Sequence, residues 1–258
     1  MCIRDSVADP AMDRRLAFRY RVCAETGSRR CDEPDTLILA AGEGTIDDPD
    51  RTAATADATI QANALLLEEA IRLDDLTGFG GIGVQVELRV VPEGGGEAEA
   101  IYAAKRIVYA PRLPAERVAN QNPVIGGLTV DMVDFPGDRC EVSTPLEVAQ
   151  DQELRLEPVE PEGIRESYVL PTFDGGTRSF VENMRYSWFA TAGDFSAEQT
   201  GGPKDLFGNV PVLFTKWKPP KDDELADLLA EGGLVELWVV QRDERGGSSY
   251  VRRCLVVR

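Results

Sequence analysis

The chain has 258 residues, of which 45 are acidic and 28 basic, for a formal charge of -17; 43% are hydrophobic, 28% charged and none is histidine. This length suits two sandwiches of about 100 residues each plus a linker, and the composition is that of a globular protein able to build a core in each half. The negative charge would repel a phosphate backbone and an anionic bilayer surface alike, which argues against nucleic acid. No stretch approaches the roughly 18 to 20 apolar residues a membrane span requires, the run Leu65 to Leu67 ending at Glu68.

Met1 to Ser6 resembles a translated sequencing-adapter remnant and is set outside the expected fold, which implies that the true start, with any signal segment or lipid-anchored cysteine, is missing. The first domain is expected over 8–112. It opens at Leu16 to Val22, where Leu16, Phe18, Tyr20 and Val22 share one face and the arginines the other, as in a half-buried strand. This is a central-type strand, so an initial edge strand is expected to be missing. Ala58 to Asp75 carries Ile60, Ala64, Leu67, Ala70 and Ile71 at helical spacing and reads as a short helix. The acidic turn Asp47-Asp48-Pro49-Asp50 lacks the loop pattern and closing glutamate of an EF-hand and reads as solvated. Ile82 to Val90 alternates, and Glu93-Gly94-Gly95-Gly96-Glu97 turns it back into Ala98 to Tyr109 as a hairpin.

Pro111, Pro114 and Pro123 mark a linker, and the second domain is expected over 120–258. Its strands read as Leu128 to Val133, Leu146 to Leu156, Met184 to Thr191, Val210 to Lys218, Leu234 to Arg242 and Ser248 to Arg258. Many short strands between turns indicate a sandwich. Asp222 to Glu231 interrupts them as a short helix, with acids in its first turn, Leu225, Leu228 and Leu229 on one side, and Gly232-Gly233 as its stop.

Without Cys2, four cysteines remain, and four permit three connectivities. Cys23 with Cys31 and Cys140 with Cys254 are the favoured pairs and would suit an oxidising compartment, leaving Cys2 as the free thiol; four buried free thiols are the alternative. With no histidine there is no Ser-His or Cys-His nucleophile and no His-based metal site. No CxxC is present, and the Gly-rich turns lack Walker and dinucleotide spacing. Carboxylate pairs such as Glu236 with Asp243, or Asp174 with Asp194, are what a glycosidase would need, but among 45 acids none stands out. Trp217, Phe214 and Phe207 are loose candidates for a sugar-stacking platform, weighed against strand packing. Tyr186, Trp188 and Ala190 share a face, so Tyr186 and Trp188, with Trp238 of the later strand, are expected in the core.

The run Tyr186-Ser187-Trp188-Phe189-Ala190-Thr191-Ala192-Gly193-Asp194-Phe195-Ser196, followed by Thr200, Trp217-Lys218-Pro219-Pro220, Val235 to Val240 and Asp243 to Gly247, resembles a PKD-like or related bacterial immunoglobulin-like domain. That resemblance implies a seven-stranded sandwich, with Trp188 on its central strand and Asp243 to Gly247 as the last hairpin turn. The inserted helix and longer loops depart from the family pattern. The whole chain is similar to bacterial cell-envelope lipoproteins that carry such sandwiches without known catalysis. The expectation is an all-β protein of two tandem immunoglobulin-like sandwiches with short helical insertions. It is expected to be non-enzymatic and cofactor-free, exported to the periplasm, outer envelope or cell exterior, and to hold a protein or polysaccharide partner. A carbohydrate-binding accessory module and a carboxylate hydrolase fragment are the alternatives.

Overall fold

Alternating apolar and polar residues, rather than helical spacing, dominate the periodic segments, and the fold is accordingly mostly β. The structure is a computed structural model that describes residues 2–5, 15–24, 31–33, 36–46, 54–57, 82–109, 118–137, 140, 144–172 and 174–258. The chain divides into two compact units, Met1–Leu113 and Pro114–Arg258. The expected helix Ala58 to Asp75 and the acidic turn Asp47 to Asp50 lie outside the described residues.

In the N-terminal unit, β1 (Cys2–Asp5) pairs antiparallel with β4 (Ala54–Asp57), so the leader set aside from the fold does form a strand. A four-stranded antiparallel sheet joins β2 (Leu16–Ala24), β3 (Ile38–Ile46), β5 (Ile82–Pro92) and β6 (Ile101–Tyr109) in the order β3-β2-β5-β6. Strand β2 is central, flanked by β3 and β5, both of which come later in the chain. Its apolar face behaves as the alternation dictates. Phe18, Tyr20 and Val22 stand opposite Val90, Leu88 and Val86, and Leu16, Val22, Val84, Val86 and Val90 are buried. On the other side of β2, the rings of Phe18 and Tyr20 lie over Gly44 and Gly42, where a Cβ would come within 2.8 and 2.6 Å of them. Glycine on β3 therefore lets the aromatic rings cover its backbone. The Cys23–Cys31 disulfide forms on the opposite, polar face, where the amide of Cys31 donates to Glu87 Oε1 at 3.1 Å.

The C-terminal unit is a β-sandwich. One five-stranded sheet runs β14-β16-β10-β7-β8 and the other β15-β13-β17-β18-β9, with a separate hairpin β11-β12. The strands are β7 (Gly127–Val130), β8 (Val133–Asp134), β9 (Leu146–Val148), β10 (Leu154–Val159), β11 (Ser167–Pro171), β12 (Thr177–Val181), β13 (Arg185–Ala190), β14 (Asp194–Phe195), β15 (Gln199–Gly201), β16 (Thr215–Lys218), β17 (Leu234–Arg242) and β18 (Ser248–Val257). Between the sheets, Leu128, Leu154, Leu156 and Trp217 of the first meet Tyr186, Trp188, Val235, Leu237, Val239 and Leu255 of the second in one core. Helix α1 (Asp222–Ala230) carries three acids in its first turn, which complement the helix dipole, and packs Leu225, Leu228 and Leu229 on that core. It ends where the amide of Gly233 donates to Leu228 O at 2.8 Å.

Several sequence expectations are corrected here. Leu146 to Leu156 is not one strand: the Ala149 to Gln152 turn breaks it, sending β9 to one sheet and β10 to the other. Val210 to Phe214 forms no strand, and the hairpin β11-β12 was not foreseen. The sandwich has ten strands in two sheets rather than the seven the resemblance implied. Tyr186 and Trp188 lie in the core as expected, and the Trp188 indole donates to Thr200 Oγ1 at 2.9 Å. Trp238 does not, because its strand neighbours Leu237 and Val239 take the inward positions and turn it to the outer face.

Gly193, between β13 and β14, has φ +85°, and a Cβ there would stand 2.3 Å from Lys218 O and 2.7 Å from Trp217 Nε1. Gly193→Ala is therefore expected to cost about 2–4 kcal/mol, from the left-handed backbone and from a clash with main chain that has nowhere to move. Urea denaturation of the variant checks this; an unchanged midpoint would refute it.

Candidate functional site

Two regions of the C-terminal unit gather polar and aromatic side chains. The first is a polar network at one end of the sandwich. Tyr186 reaches it from the core, its hydroxyl donating to Glu160 Oε1 at 2.6 Å and accepting from Gln241 Nε2 at 3.0 Å. Burial and the bond to Glu160 push this phenol far above its ordinary value. Arg165 pairs with Glu160 at 2.6 Å. Arg245 bridges Glu182 at 3.2 Å and Glu166 at 3.4 Å and lies over the Tyr168 ring. Asp243 closes the β17-β18 turn by accepting from the amides of Arg245 and Gly247, and takes a bond from Asn120 Nδ2 at 2.8 Å. Most of these groups satisfy one another, as a buried network must, but the Asn120 Oδ1 is buried without a partner. Among the described residues, no three His, Cys, Asp or Glu side chains are placed to hold a metal ion.

Glu182 is only 2% exposed, and burial raises its carboxyl above the usual range. The charges of Asp243 and Glu166 push the same way, against the amide of Glu166 and the Arg245 guanidinium. A folded-state value above the unfolded one means that the contribution of Glu182 to stability is fully present below the unfolded pKa. It is then lost as pH rises through the folded one. The stability of the native chain, relative to Glu182→Gln, is expected to decline from about pH 4 towards neutrality. Urea midpoints of both proteins across that range test this, and a constant difference refutes it.

The second region is the outer face of the sheet β15-β13-β17-β18-β9. Since Tyr186 and Trp188 point inward, Arg185, Ser187 and Phe189 point outward, and the register aligns them with the next strands. Phe189 stands beside Trp238 and Trp238 beside Arg252; Ser187 stands beside Val240 and Val240 beside Tyr250; Arg185 stands beside Arg242 and Arg242 beside Ser248. Phe189 is 50% and Tyr250 60% exposed, and Trp238 is half-buried. One end of the face is covered where Cys254 bonds Cys140, and there Arg252 holds Glu236 in a two-pronged pair at 2.6 and 3.0 Å. The rest of the face carries Phe189, Trp238 and Tyr250, with Arg185 and Arg242 two rows beyond the Phe189–Trp238 row.

The carboxylates paired from the sequence are not assembled into a site. Glu236 and Asp243 lie at opposite ends of β17, about 23 Å apart along the strand, Glu236 engaged by Arg252 and Asp243 by its own turn. Asp174 caps the β11-β12 turn, its carboxyl held low by the Thr172 hydroxyl and the Gly176 amide, while Asp194 lies in β14. The loose aromatic trio is dispersed. Trp217 is fully buried and donates to Ala192 O at 3.1 Å, Phe214 lies under the Arg155 guanidinium, and Phe207 projects from a turn pinned by Asp205. The platform that does exist, Phe189 with Trp238 and Tyr250, was missed. The alternation of Tyr186, Trp188 and Ala190 already placed Phe189 outward, but only the register brings it to Trp238.

A shallow cleft of about 570 Å³ lies on the N-terminal unit, lined by Arg19, Glu43, Arg89, Glu97 and Tyr102. Arg89 pairs with Glu97 at 2.6 Å and donates to the Tyr102 hydroxyl at 3.2 Å, and Tyr102 also bonds Glu97.

No protein-family model matches the chain, and no curated protein matches it. Among solved structures, red sea bream transglutaminase is similar over the whole chain at 12% identity with a TM-score of 0.26. The chain spans 31% of that protein's length. A likeness this slight carries no argument about fold or activity.

Proposed function

We propose that this chain is a non-enzymatic, exported binding module of a bacterial cell envelope, built from two tandem immunoglobulin-like sandwiches, and that it holds another macromolecule on the outer face of the C-terminal sandwich. The observation that carries this reading is the placing of Phe189, Trp238 and Tyr250 on one outer sheet face, with Phe189 and Tyr250 exposed, since apolar side chains gathered on an exposed face mark interaction sites. Two disulfides support an oxidising compartment. The strand order supports the immunoglobulin-like assignment: β7-β10-β16-β14 follows the A-B-E-D arrangement and β15-β13-β17-β18 the C′-C-F-G arrangement, except that β14 precedes β15 in the chain. The N-terminal unit, on this reading, builds its own sandwich upon the sheet β3-β2-β5-β6. The carbohydrate-binding alternative is favoured by the same aromatic face; no arrangement among the described residues favours the hydrolase.

The test is co-sedimentation of the full chain with insoluble, protease-treated cell-wall polymer. Native protein is expected in the pellet, and Trp238→Ala/Tyr250→Ala is expected to lose retention by about tenfold or more. Equal retention of both proteins, or none of either, would overturn the proposal.

A further inference from the structure

The aromatic face has a border whose charge is out of character with the rest of the protein. Arg185 and Arg242 are directly opposite each other on β13 and β17, on the same face and both exposed. Like charges facing each other across strands are destabilising. In a chain with 45 acidic residues a carboxylate neighbour would relieve this, yet neither arginine has one among the described residues. Arg242 donates to Ser187 Oγ at 3.1 Å, and the Arg185 guanidinium lies over Gly202, 3.8 Å from where a Cβ would stand. Arg252 is different, since Glu236 already occupies it. Glu244, in the nearby turn, accepts from Tyr168 at 2.7 Å and Asn183 at 2.8 Å. Two guanidinium groups without a carboxylate partner among the described residues, carried by directly opposed positions on one sheet face, offer a receptor for carboxylates, which such groups bind in a planar, two-pronged way.

The distance from this border to the rings sets the size of the ligand. Successive rows on one sheet face are two residues apart, so the Phe189–Trp238 row and the Arg185–Arg242 row are about 13 Å apart. A single small anion cannot meet both; a chain of linked units can. An extended peptide would use a sheet edge or a groove. Here the main chain of β17 is taken up on both sides by β13 and β18, so beside Trp238 there is no strand edge to extend. Exposed aromatic side chains on a sheet face suit the C–H faces of sugar rings, which bury apolar area without requiring a pocket.

Resting on the binding role proposed above, we infer that this face binds an acidic polysaccharide, with carboxylates of the sugars taken by Arg185 and Arg242 and sugar rings stacked on Trp238, Phe189 and Tyr250. Nucleic acid and anionic lipid are disfavoured by the overall charge of the chain, whereas an acidic polysaccharide carries its carboxylates on sugar rings, which the aromatic side chains of this face can hold while the arginine pair takes the charge.

Affinity electrophoresis of the full chain in gels containing polygalacturonate, or the same polymer fully methyl-esterified, tests the inference. Native protein is expected to be retarded by the acid polymer about tenfold more strongly than by the ester, and to lose that difference in high salt. Arg185→Ser/Arg242→Ser should abolish the difference, and Arg185→Lys/Arg242→Lys should restore it only in part, since ammonium groups lack the planar fork. An unchanged thermal transition in these surface variants separates lost binding from lost folding. Equal binding of acid and ester, or undiminished binding by the serine variant, would overturn the inference. If the ester binds equally and Trp238→Ala/Tyr250→Ala abolishes it, the anionic assignment fails while the face stands as a binding site. If neither polymer is retarded, the polysaccharide assignment fails, and the cell-wall sedimentation above decides separately whether the face binds anything.

Discussion

Replacing Cys140 and Cys254 together by alanine is expected to cost the C-terminal unit about 5 kcal/mol, the largest single effect in the chain. The bond joins residues 114 apart, so without it the unfolded chain regains the freedom of a long loop, for which chain-entropy estimates give about that figure. For the Cys23–Cys31 bond, with a separation of 8, the same estimate is about 2.5 kcal/mol. The two differ in what they hold as well as in loop length. Cys254 lies in the last strand of the sandwich and is 6% exposed, and its bond holds Cys140 at the outer face of β18. Thermal unfolding followed by circular dichroism should show the transition of the C-terminal unit falling by about 10–20 °C in the double variant, and by a similar amount in native protein treated with reductant. A fall of under 3 °C in both would show that the bond adds nothing to a sandwich already stable without it.

The second large effect is expected at Trp217. Its side chain is completely buried between the sheets, its indole N–H satisfied by Ala192 O, and Gly193 lies against its ring with no room for a methyl group. Trp217→Ala should cost about 3–5 kcal/mol, because a cavity the size of an indole cannot close where backbone strands hold its walls apart. Trp217→Phe keeps much of the apolar volume but leaves Ala192 O without its donor, and should cost about 1–3 kcal/mol. Denaturant unfolding monitored by far-ultraviolet circular dichroism measures both. An alanine variant no less stable than the phenylalanine variant would mean that Trp217 is not where this core derives its stability.

Much of this architecture is legible in the amino-acid sequence. The alternation in Leu16 to Val22, Ile82 to Val90 and Leu234 to Arg242 reports on one strand at a time, and period-two burial needs no knowledge of neighbours. The Asp222 helix announces itself through local chemistry: acids at its start, three leucines on one side, two glycines at its end. An even cysteine count with one close and one distant pair favours the two disulfides but leaves three connectivities and four free thiols open. Reading failed where strands are too short to show a period, as in β14 and β15 with two and three residues, and where a turn without glycine or proline splits a run, as between β9 and β10. A tryptophan set in an alternating strand suggests a core position for Trp238, but the run Val235 to Val240 is apolar on both faces apart from Glu236, so alternation alone does not say which face is inward.

What the sequence by itself determined is therefore what depends on near neighbours along the chain: the strands with long alternating runs, the helix, the exclusion of histidine chemistry and the excess of negative charge. What only the tertiary structure decided is which strands stand side by side. Arg185 and Arg242 are 57 positions apart, Phe189 and Trp238 are 49 apart, and Tyr250 comes from a third strand. A one-residue slip in either pairing would send these side chains to the opposite face. The register is held by the core on the inner side, by Tyr186, Trp188, Leu237 and Val239, so the burial of those residues is what assembles the aromatic and arginine rows on the outer side.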